Sequence, residues 1–307
     1  MNLSLLLLLV TVTLSTTTIP QLIGNVIAND TAPNSTDILL LSCGTSGLSV
    51  GSDKRTWLGD VGSEYNPTLT SLGPEALFQA SSDSQVPYLT VRIFTSQFTY
   101  SFPLDPGRKF LRLHFYPANY SSNFYPSDAI FKVTACPVTL LNNFSTYQTA
   151  QALKVDYFVL EYSVNVSAPA LDVTFVPSKD YPNSYAFING IEILSIPNIF
   201  GTNSGSPTIV NGRQTPYTIE PGWAVQTVHR LNVGGNTVSP TADSGLFCSW
   251  DDDTPYIYGA GFGVVFFADP NVTLEYSPSV RRLYNGKVDG PKFEHQSELQ
   301  PHLDSDS

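Results

Sequence analysis

Basic residues are scarce in this sequence, and the deficit narrows the class of partner. Lysine and arginine number 15 against 26 aspartates and glutamates, which gives a net charge of −11 at pH 7. Nucleic-acid-binding proteins need a basic stripe or patch, so this balance argues against a nucleic-acid partner. It is compatible with a basic partner, and a solvated acidic surface is the simpler alternative.

Methionine occurs once and cysteine three times, whereas Tyr, Phe, Thr, Ser, Pro and Gly are abundant. This mixture favours strands and turns over helices. No cysteine spacing is typical of a zinc site, and we predict neither a metal nor a cofactor. Three cysteines cannot all pair within one chain. Two alternatives stay open for Cys43 and Cys136: a disulfide between them, or buried free thiols.

Long apolar runs are absent after the N-terminus. Residues 3–10 have the length of a signal-peptide h-region, and Val26 and Ala28 suit cleavage after residue 28. We predict a signal peptide at 1–28 and a flexible lead-in at 29–37, with an ordinary buried strand as the alternative for the apolar run. No later run reaches the roughly 18–20 apolar residues that span a bilayer. The mature chain is therefore expected to lack a transmembrane segment and to be secreted.

The sequence contains several acceptor motifs for N-glycosylation, Asn-x-Ser or Asn-x-Thr with x other than Pro. Their number beyond the predicted signal peptide favours a secreted glycoprotein. The acceptor asparagines are Asn29, Asn34, Asn119, Asn143, Asn165 and Asn271.

Residues 98–117 supply the strongest strand pattern. Apolar and polar side chains alternate at 98–102 and again at 111–116, and the Asp-Pro-Gly sequence at 105–107 is a turn signal. Two strands around such a turn predict a hairpin. The second strand would place its leucines and Phe115 toward a core, and Arg112 and His114 toward a groove or a second sheet.

Strand patterns recur through residues 38–197, with a short helix predicted at 148–153 and one helical turn at 75–79. Strands at this spacing with almost no helix predict an all-β sandwich. The further strands are predicted at 38–44, 88–94, 129–136, 138–144, 158–166, 171–176 and 185–194, the last interrupted at Asn189-Gly190.

The chain beyond this module is organised differently. Residues 198–224, rich in Pro and Gly, predict a linker. An apolar strand, a glycine, a loop and then Trp with an acid occur at 39–60 and again at 228–252, so an incomplete second copy of the module is predicted at 225–280. The polar and charged residues 281–307 predict a disordered tail.

Several motifs, in the same order, resemble one known family. The sequence is similar to the extracellular region of the FERONIA/THESEUS class of plant receptor-like kinases over residues 38–280. The resemblance implies tandem malectin-like modules, each a jelly-roll β-sandwich, on the extracellular face of the plasma membrane. It also implies binding of a pectin-like cell-wall polysaccharide, or of a basic signalling peptide together with a GPI-anchored co-receptor. The motifs are Leu41-Ser-Cys-Gly44, residues 107–117, residues 185–193, and Tyr256-Ile-Tyr-Gly-Ala-Gly261 near Ala268-Asp-Pro-Asn271.

The sequence departs from this family in two ways. The rest of the second module, the transmembrane helix and the kinase are missing, with no Gly-rich kinase loop, His-Arg-Asp or Asp-Phe-Gly motif. Kinase activity is therefore not carried over, and no enzyme is predicted. The family commonly has Arg where Cys248 stands, which leaves this cysteine unexplained.

Aromatic side chains that follow the central strand are candidate ligand-binding residues, because flat rings stack on the apolar faces of sugars. They are Tyr116, Tyr120, Phe124 and Tyr125, with Arg112 as a partner for an anionic sugar. Packing at the rim of the module is the alternative. The arginines at 55, 92 and 108 are weighed in the same way against ordinary ion pairs.

The sequence gives little support for catalysis by His114 or for calcium binding at residues 251–253. His114 has no accompanying nucleophile and is predicted to be a sheet histidine, and residues 251–253 are predicted to be a solvated acidic loop rather than a calcium site. The predicted function is non-catalytic extracellular recognition. The alternatives are a wall glycoside hydrolase on a β-sandwich, which needs two carboxylates across a groove, or a truncated product without independent function.

Overall fold

The computed structural model describes residues 37–65, 68, 72–76, 86–121, 123–135, 137–197, 222–243 and 245–257. All of them belong to one unit of the chain, Pro33–Ser307. The predicted signal peptide, the tail at 281–307, Cys136, and the acceptor asparagines Asn29, Asn34 and Asn271 lie outside the described residues.

Strands are the dominant regular structure of the described residues, which also contain one α-helix and three short 3-10 turns at Pro126–Asp128, Pro240–Ala242 and Thr254–Tyr256. The elements in chain order are β1 (Ile38–Ser46), β2 (Leu48–Val50), β3 (Thr56–Val61), β4 (Arg92–Phe94), β5 (Phe98–Pro103), β6 (Gly107–Phe115), β7 (Ile130–Ala135), β8 (Val138–Ser145), α1 (Thr146–Leu153), β9 (Phe158–Val166), β10 (Ala170–Pro177), β11 (Ala186–Ile188), β12 (Gly190–Ser195), β13 (Val225–Gln226), β14 (Leu231–Asn232) and β15 (Asp251–Asp252).

Two sheets face each other across the core. The larger sheet has seven strands in the order β13-β9-β6-β12-β1-β3-β2, and the smaller has four in the order β5-β10-β7-β8. Leu111 and Leu113 of the larger sheet and Phe131 and Phe175 of the smaller are fully buried in one cluster. The predicted all-β sandwich is confirmed.

Strands β5 and β6 lie where the alternation predicts them, but the predicted hairpin between them is wrong. β5 pairs with β10 in the small sheet, whereas β6 pairs with β9 and β12 in the large one. The Asp105–Gly107 turn therefore carries the chain from one sheet to the other. Two strands that face each other across a core show the same period-two pattern as two strands of a hairpin, so the sequence pattern alone does not separate them.

Local signals account for the remaining elements. Helix α1 contains the predicted helix at 148–153, and it begins where the Ser145 hydroxyl accepts the Gln148 backbone N–H. The break at Asn189-Gly190 is confirmed, because β11 ends at Ile188 and β12 begins at Gly190. Glu75 forms a β-bridge with Thr90, so it does not begin the predicted helical turn, and residues 77–79 lie outside the described part.

Residues 222–257 return to the large sheet. Strand β13 pairs with β9, and the Thr227 N–H continues the pairing to the Glu161 carbonyl at 2.9 Å. Cys248 packs with Phe110 of β6 and Ile196 in a small second cluster. The sheet face that points away from the core is therefore covered by this segment, and both faces of β6 are buried.

Candidate functional site

A row of charged side chains crosses the outer face of the large sheet. Even-numbered residues of β6 point to this face because Leu111, Leu113 and Phe115 point into the core. Arg112 lies directly opposite Glu161 of β9 on one side and Glu192 of β12 on the other. Its Nε donates to Glu161 Oε2 at 2.7 Å, and its Nη1 donates to Glu192 Oε1 at 2.5 Å. We call Arg55, Glu192, Arg112, Glu161 and Arg230 the charge row.

Arg55 and His114 complete the inner end of the charge row. Arg55 Nη1 donates to Glu192 Oε1 at 2.6 Å, and His114 Nε2 lies 3.4 Å from Glu192 Oε2. The Tyr88 hydroxyl lies 3.0 Å from His114 Nδ1. Burial and the nearby arginines lower the pKa of His114 despite Glu192, so this buried histidine is neutral at pH 7. His114 is thus a sheet histidine within a hydrogen-bonded cluster.

The outer end of the charge row reaches the segment 222–257. Arg230 Nη2 donates to Glu161 Oε1 at 2.6 Å, and the Thr227 hydroxyl donates to the same oxygen at 2.5 Å. The Arg230 guanidinium lies 5.6 Å from the ring centroids of both Phe110 and Trp250. Such cation–π contacts strengthen as they are removed from water. Glu161 therefore joins the sandwich to the segment that covers it.

The two glutamates of the charge row remain ionised. Burial alone raises the pKa of Glu192, but the charge of Arg112 and the contacts with His114 and Arg55 bring it well below its usual value. Burial likewise raises the pKa of Glu161, and the charges of Arg112 and Arg230 outweigh that effect and lower it. Neither carboxyl can hold a proton for acid catalysis near neutral pH.

Cys248 has a structural explanation. Arg112 Nη2 donates to the Leu246 carbonyl at 2.8 Å and lies 3.3 Å from Cys248 Sγ. Burial raises the pKa of the Cys248 thiol to about 12, more than the two nearby arginines lower it. The thiol is therefore an inert packing group beside the charge row.

A second buried carboxylate fixes the first family-like motif. Asp60 is fully buried and accepts the Gly44 N–H at 2.9 Å, the Tyr100 hydroxyl at 2.8 Å, and two N–H groups of Arg92 at 2.8 Å each. Cys43 lies beside this carboxylate as a free buried thiol. Its other candidate partner, Cys136, lies outside the described residues, so the choice between a disulfide and buried thiols stays a prediction. Burial and the charge of Asp60 raise the pKa of Cys43 well above its usual value.

The aromatic residues predicted to bind ligand do not form one exposed platform. Tyr120 is 2% exposed, and its hydroxyl donates to the Tyr116 carbonyl at 2.6 Å. Asn189 holds this loop, because its Oδ1 accepts the Tyr116 N–H and its Nδ2 donates to the Tyr120 hydroxyl, both at 2.7 Å. Phe124 packs edge-on against Tyr185 at 5.1 Å, and Tyr125 alone of the four is exposed, at 56%.

The arginines proposed for an anionic sugar all have internal partners. Arg55, Arg92 and Arg112 form ion pairs, and Arg108 Nη1 donates to the Trp223 carbonyl at 2.9 Å. Exposed cations in the described part of the chain are lysines. These are Lys54, Lys132, Lys154 and Lys179, and the exposed carboxylates are Glu64, Glu75, Asp105, Asp156, Asp180 and Asp251.

The remaining candidate features are a metal site, the acidic loop at 251–253 and a membrane-spanning helix. Within the described ranges no group of three or more His, Cys, Asp or Glu side chains is placed to hold a metal ion. Asp252 and Asp253 cap local backbone N–H groups of Thr254 and Gly234. No helix among the described residues is long and apolar enough to cross a membrane.

The arrangement defines a class: an all-β jelly-roll sandwich of the malectin-like type. Solved structures with this fold are close in sequence. The crystal structure of the plant receptor-like kinase FER matches with a TM-score of 0.71 at 42% identity, over 83% of this chain and 66% of that chain. A crystal structure of the plant peptide RALF23 in complex with FER and LLG2 matches with a TM-score of 0.68 at 43% identity, over 80% of this chain and 61% of that chain.

Among curated proteins, the receptor-like protein kinase FERONIA of Arabidopsis thaliana is 42% identical over 94% of this chain. The chain belongs to the FERONIA/THESEUS class of plant receptor-like kinases, in its malectin-like extracellular region. It spans 31% of the length of FERONIA, within the part that lies outside the cell. No protein-family model matches the chain.

The residues that organise this site were largely missed by sequence reasoning. Glu161 and Glu192 were not singled out, although each is an acid within an apolar strand run, and Asp60 was noted only as the acid of the repeated pattern. A carboxylate in such a run signals a buried partner, since an unpaired buried charge is too costly to keep. Arg112 was identified, but as a ligand contact rather than as the centre of the charge row.

Proposed function

We propose that this chain is a non-catalytic extracellular recognition module that binds a basic secreted peptide together with a GPI-anchored co-receptor. The observation that carries the proposal is the surface charge. Arg55, Arg92 and Arg112 are paired with buried carboxylates, so among the described residues six exposed carboxylates face four exposed lysines, and the whole chain carries a net charge of −11. A cationic peptide is attracted to such a surface at long range.

The relation to FER supports the same partner class. A FER ectodomain has been crystallised with the peptide RALF23 and with LLG2. Most of this chain, 80% of its length, aligns with FER in that complex. By analogy with that FER complex, a peptide together with a co-receptor is the ligand pair proposed for this chain.

Hydrolysis is disfavoured by the charge row. A glycoside hydrolase needs one carboxyl that carries a proton and a second that is ionised. Glu161 and Glu192 are both bound by Arg112, and both pKa values are lowered. For a pectin-like polysaccharide, Tyr125 alone of the four candidate rings offers an exposed face, while Tyr116 and Tyr120 are buried.

Biolayer interferometry with the secreted chain tests the proposal. The probes are RALF23, RALF23 with LLG2, and a homogalacturonan oligosaccharide. We expect binding of RALF23 that strengthens when LLG2 is present and weakens as salt rises from 50 to 500 mM, because exposed charges are screened.

Two matched variants sharpen this experiment. Asp156→Lys should weaken peptide binding, whereas Lys154→Glu, two residues away and also exposed, should preserve or strengthen it. Oligosaccharide binding without peptide binding, or peptide binding that does not respond to salt, would reject the proposal. Turnover of wall oligosaccharides by the chain would reject its non-catalytic part.

A further inference from the structure

Three chain segments meet at one end of the small sheet and leave tyrosines exposed there. The Ser178 N–H donates to the Ile130 carbonyl at 2.9 Å, and the Tyr185 N–H donates to the Asp128 carbonyl at 3.3 Å. These bonds join the segment that leads into β7 to the segment that follows β10, and the pairing of Ile130 with Ser145 adds the segment that leads into α1. Tyr125, Tyr147 and Tyr181 are 56%, 37% and 46% exposed on these segments, and we call them the tyrosine end.

Asn143 lies at the same end, in a bulge of β8. Phe131 pairs with Phe144 and Val133 with Leu141, so Asn142 and Asn143 both stand opposite the single residue between those two on β7. Asn143 takes up the extra length with φ +51°, a left-handed conformation that asparagine tolerates better than most residues. Its side chain is exposed at the sheet edge.

The amide of Asn143 is oriented by its neighbour. Ser178 Oγ donates to Asn143 Oδ1 at 3.0 Å. This bond uses the amide oxygen and leaves Nδ2, the atom that N-glycosylation modifies. Modification of Nδ2 preserves the carbonyl, so the hydrogen bond to Ser178 is compatible with a sugar at this position.

We propose that Asn143 carries an N-linked glycan whose first N-acetylglucosamine packs against Tyr181, with Tyr147 on its other side. Transfer from a lipid-linked oligosaccharide diphosphate forms the bond between Nδ2 and sugar C1, breaks the bond between C1 and the diphosphate oxygen, and releases the diphosphate and one amide proton. Tyr181 lies three residues after Ser178 and begins a turn that is closed by the hydrogen bond from the Ser184 N–H to the Tyr181 carbonyl. Tyr147 lies in the first turn of α1, and its hydroxyl accepts Gln151 Nε2 at 2.7 Å.

The chemistry of these side chains suits a sugar. A tyrosine ring offers a flat apolar face with a polar hydroxyl at its edge, which matches the C–H face and the hydroxyl rim of a pyranose. The two rings come from different segments of the chain. Ser178 links Asn143 to the segment that carries Tyr181, and Tyr147 follows Asn143 by four residues. The sugar would remove apolar ring surface from water at an otherwise open end of the sheet.

The test compares the effect of Tyr181→Ala on the melting temperature with and without the glycan. Ser145→Asp removes the acceptor motif while keeping a residue that caps α1 and leaving Asn143 in place. In the glycosylated chain secreted from insect cells, Tyr181→Ala should lower the melting temperature by about 2–4 °C, as expected for a contact of this size. In the Ser145→Asp background the same substitution should change it by less than about 1 °C. Trimming the glycan to one N-acetylglucosamine should preserve the difference.

Tyr125→Ala is the matched control, because Tyr125 is exposed at the same end but lies on the segment that leads into β7, and not on the segments that carry Ser178 or Tyr147. It should have the same effect in both backgrounds. Intact-glycopeptide mass spectrometry reports occupancy directly. An unoccupied Asn143, or an equal effect of Tyr181→Ala with and without the sugar, would overturn the proposal.

Discussion

Arg112 and Glu192 lie directly opposite each other on β6 and β12, with Nη1 of the arginine 2.5 Å from Oε1 of the glutamate. Both side chains are almost entirely buried. Removal of one partner leaves the other charge buried without compensation, and this costs far more than the net contribution of the intact pair.

Glu192→Gln should therefore destabilise the fold by about 3–5 kcal/mol, the usual range for breaking a buried ion pair. Chemical denaturation followed by tryptophan fluorescence measures the loss. Glu64→Gln is the control: Glu64 is exposed, and its substitution should change stability by less than about 0.5 kcal/mol. A cost for Glu192→Gln no larger than this would show that the charge row does not depend on that carboxylate.

Stability should fall on acidification through Glu161 and Glu192. Their pKa values are lowered in the folded state, whereas an unfolded glutamate titrates near its usual value of 4.5. A group with a lowered folded-state pKa stabilises the fold fully above the unfolded value and loses that contribution as the pH falls toward the folded value. Melting temperatures measured from pH 7 to pH 3 should thus decline below about pH 5. The double substitution Glu161→Gln and Glu192→Gln should flatten this decline, and an unchanged slope would contradict the assignment.

Gly44→Ala should be more damaging than Gly47→Ala. Both glycines have positive φ, +89° and +72°, so both substitutions carry backbone strain of about 1–2 kcal/mol. A Cβ at Gly44 would also meet the Val91 backbone oxygen at 2.4 Å, whereas at Gly47 it would meet nothing within 4 Å. The free energy of unfolding of the Gly44→Ala variant should be lower than that of the Gly47→Ala variant by more than about 2 kcal/mol. Because the backbone strain is similar in both variants, this difference measures the steric clash at Gly44. Equal costs would mean that the strands around Gly44 can separate freely.

Cys43 and Cys248 should resist alkylation in the folded chain. Both thiols are buried and their pKa values are raised, so little thiolate is present at pH 8. Iodoacetamide labelling read by site-resolved mass spectrometry should modify neither residue until denaturant is added, and both afterwards. Failure of Cys43 to react even in denaturant without a reducing agent would point back to a disulfide.

Sequence reasoning predicted the fold class, the positions of most strands and the break at Asn189-Gly190, because these depend on local alternation and turn residues. It did not predict which strands pair. Phe102 and Leu113 obey the same alternation although they lie in opposite sheets. The partners of the buried acids were missed for a related reason: Glu161 and Arg112 are 49 residues apart in sequence, and only the register of β6 with β9 brings them together. The burial of Tyr120 likewise depends on Asn189, which is 69 residues beyond it in the sequence.

Glu161 accepts hydrogen bonds from Arg112 on the outer face of the large sheet and from Arg230 in the segment that covers this face. One carboxylate thus serves two parts of the chain that are separated by the predicted linker. A change of Arg230 to a neutral residue would alter the environment of Arg112 without touching it. Across relatives of this chain, positions 112, 161 and 230 should therefore covary as a set, and a receptor in which one has changed should show a compensating change at another.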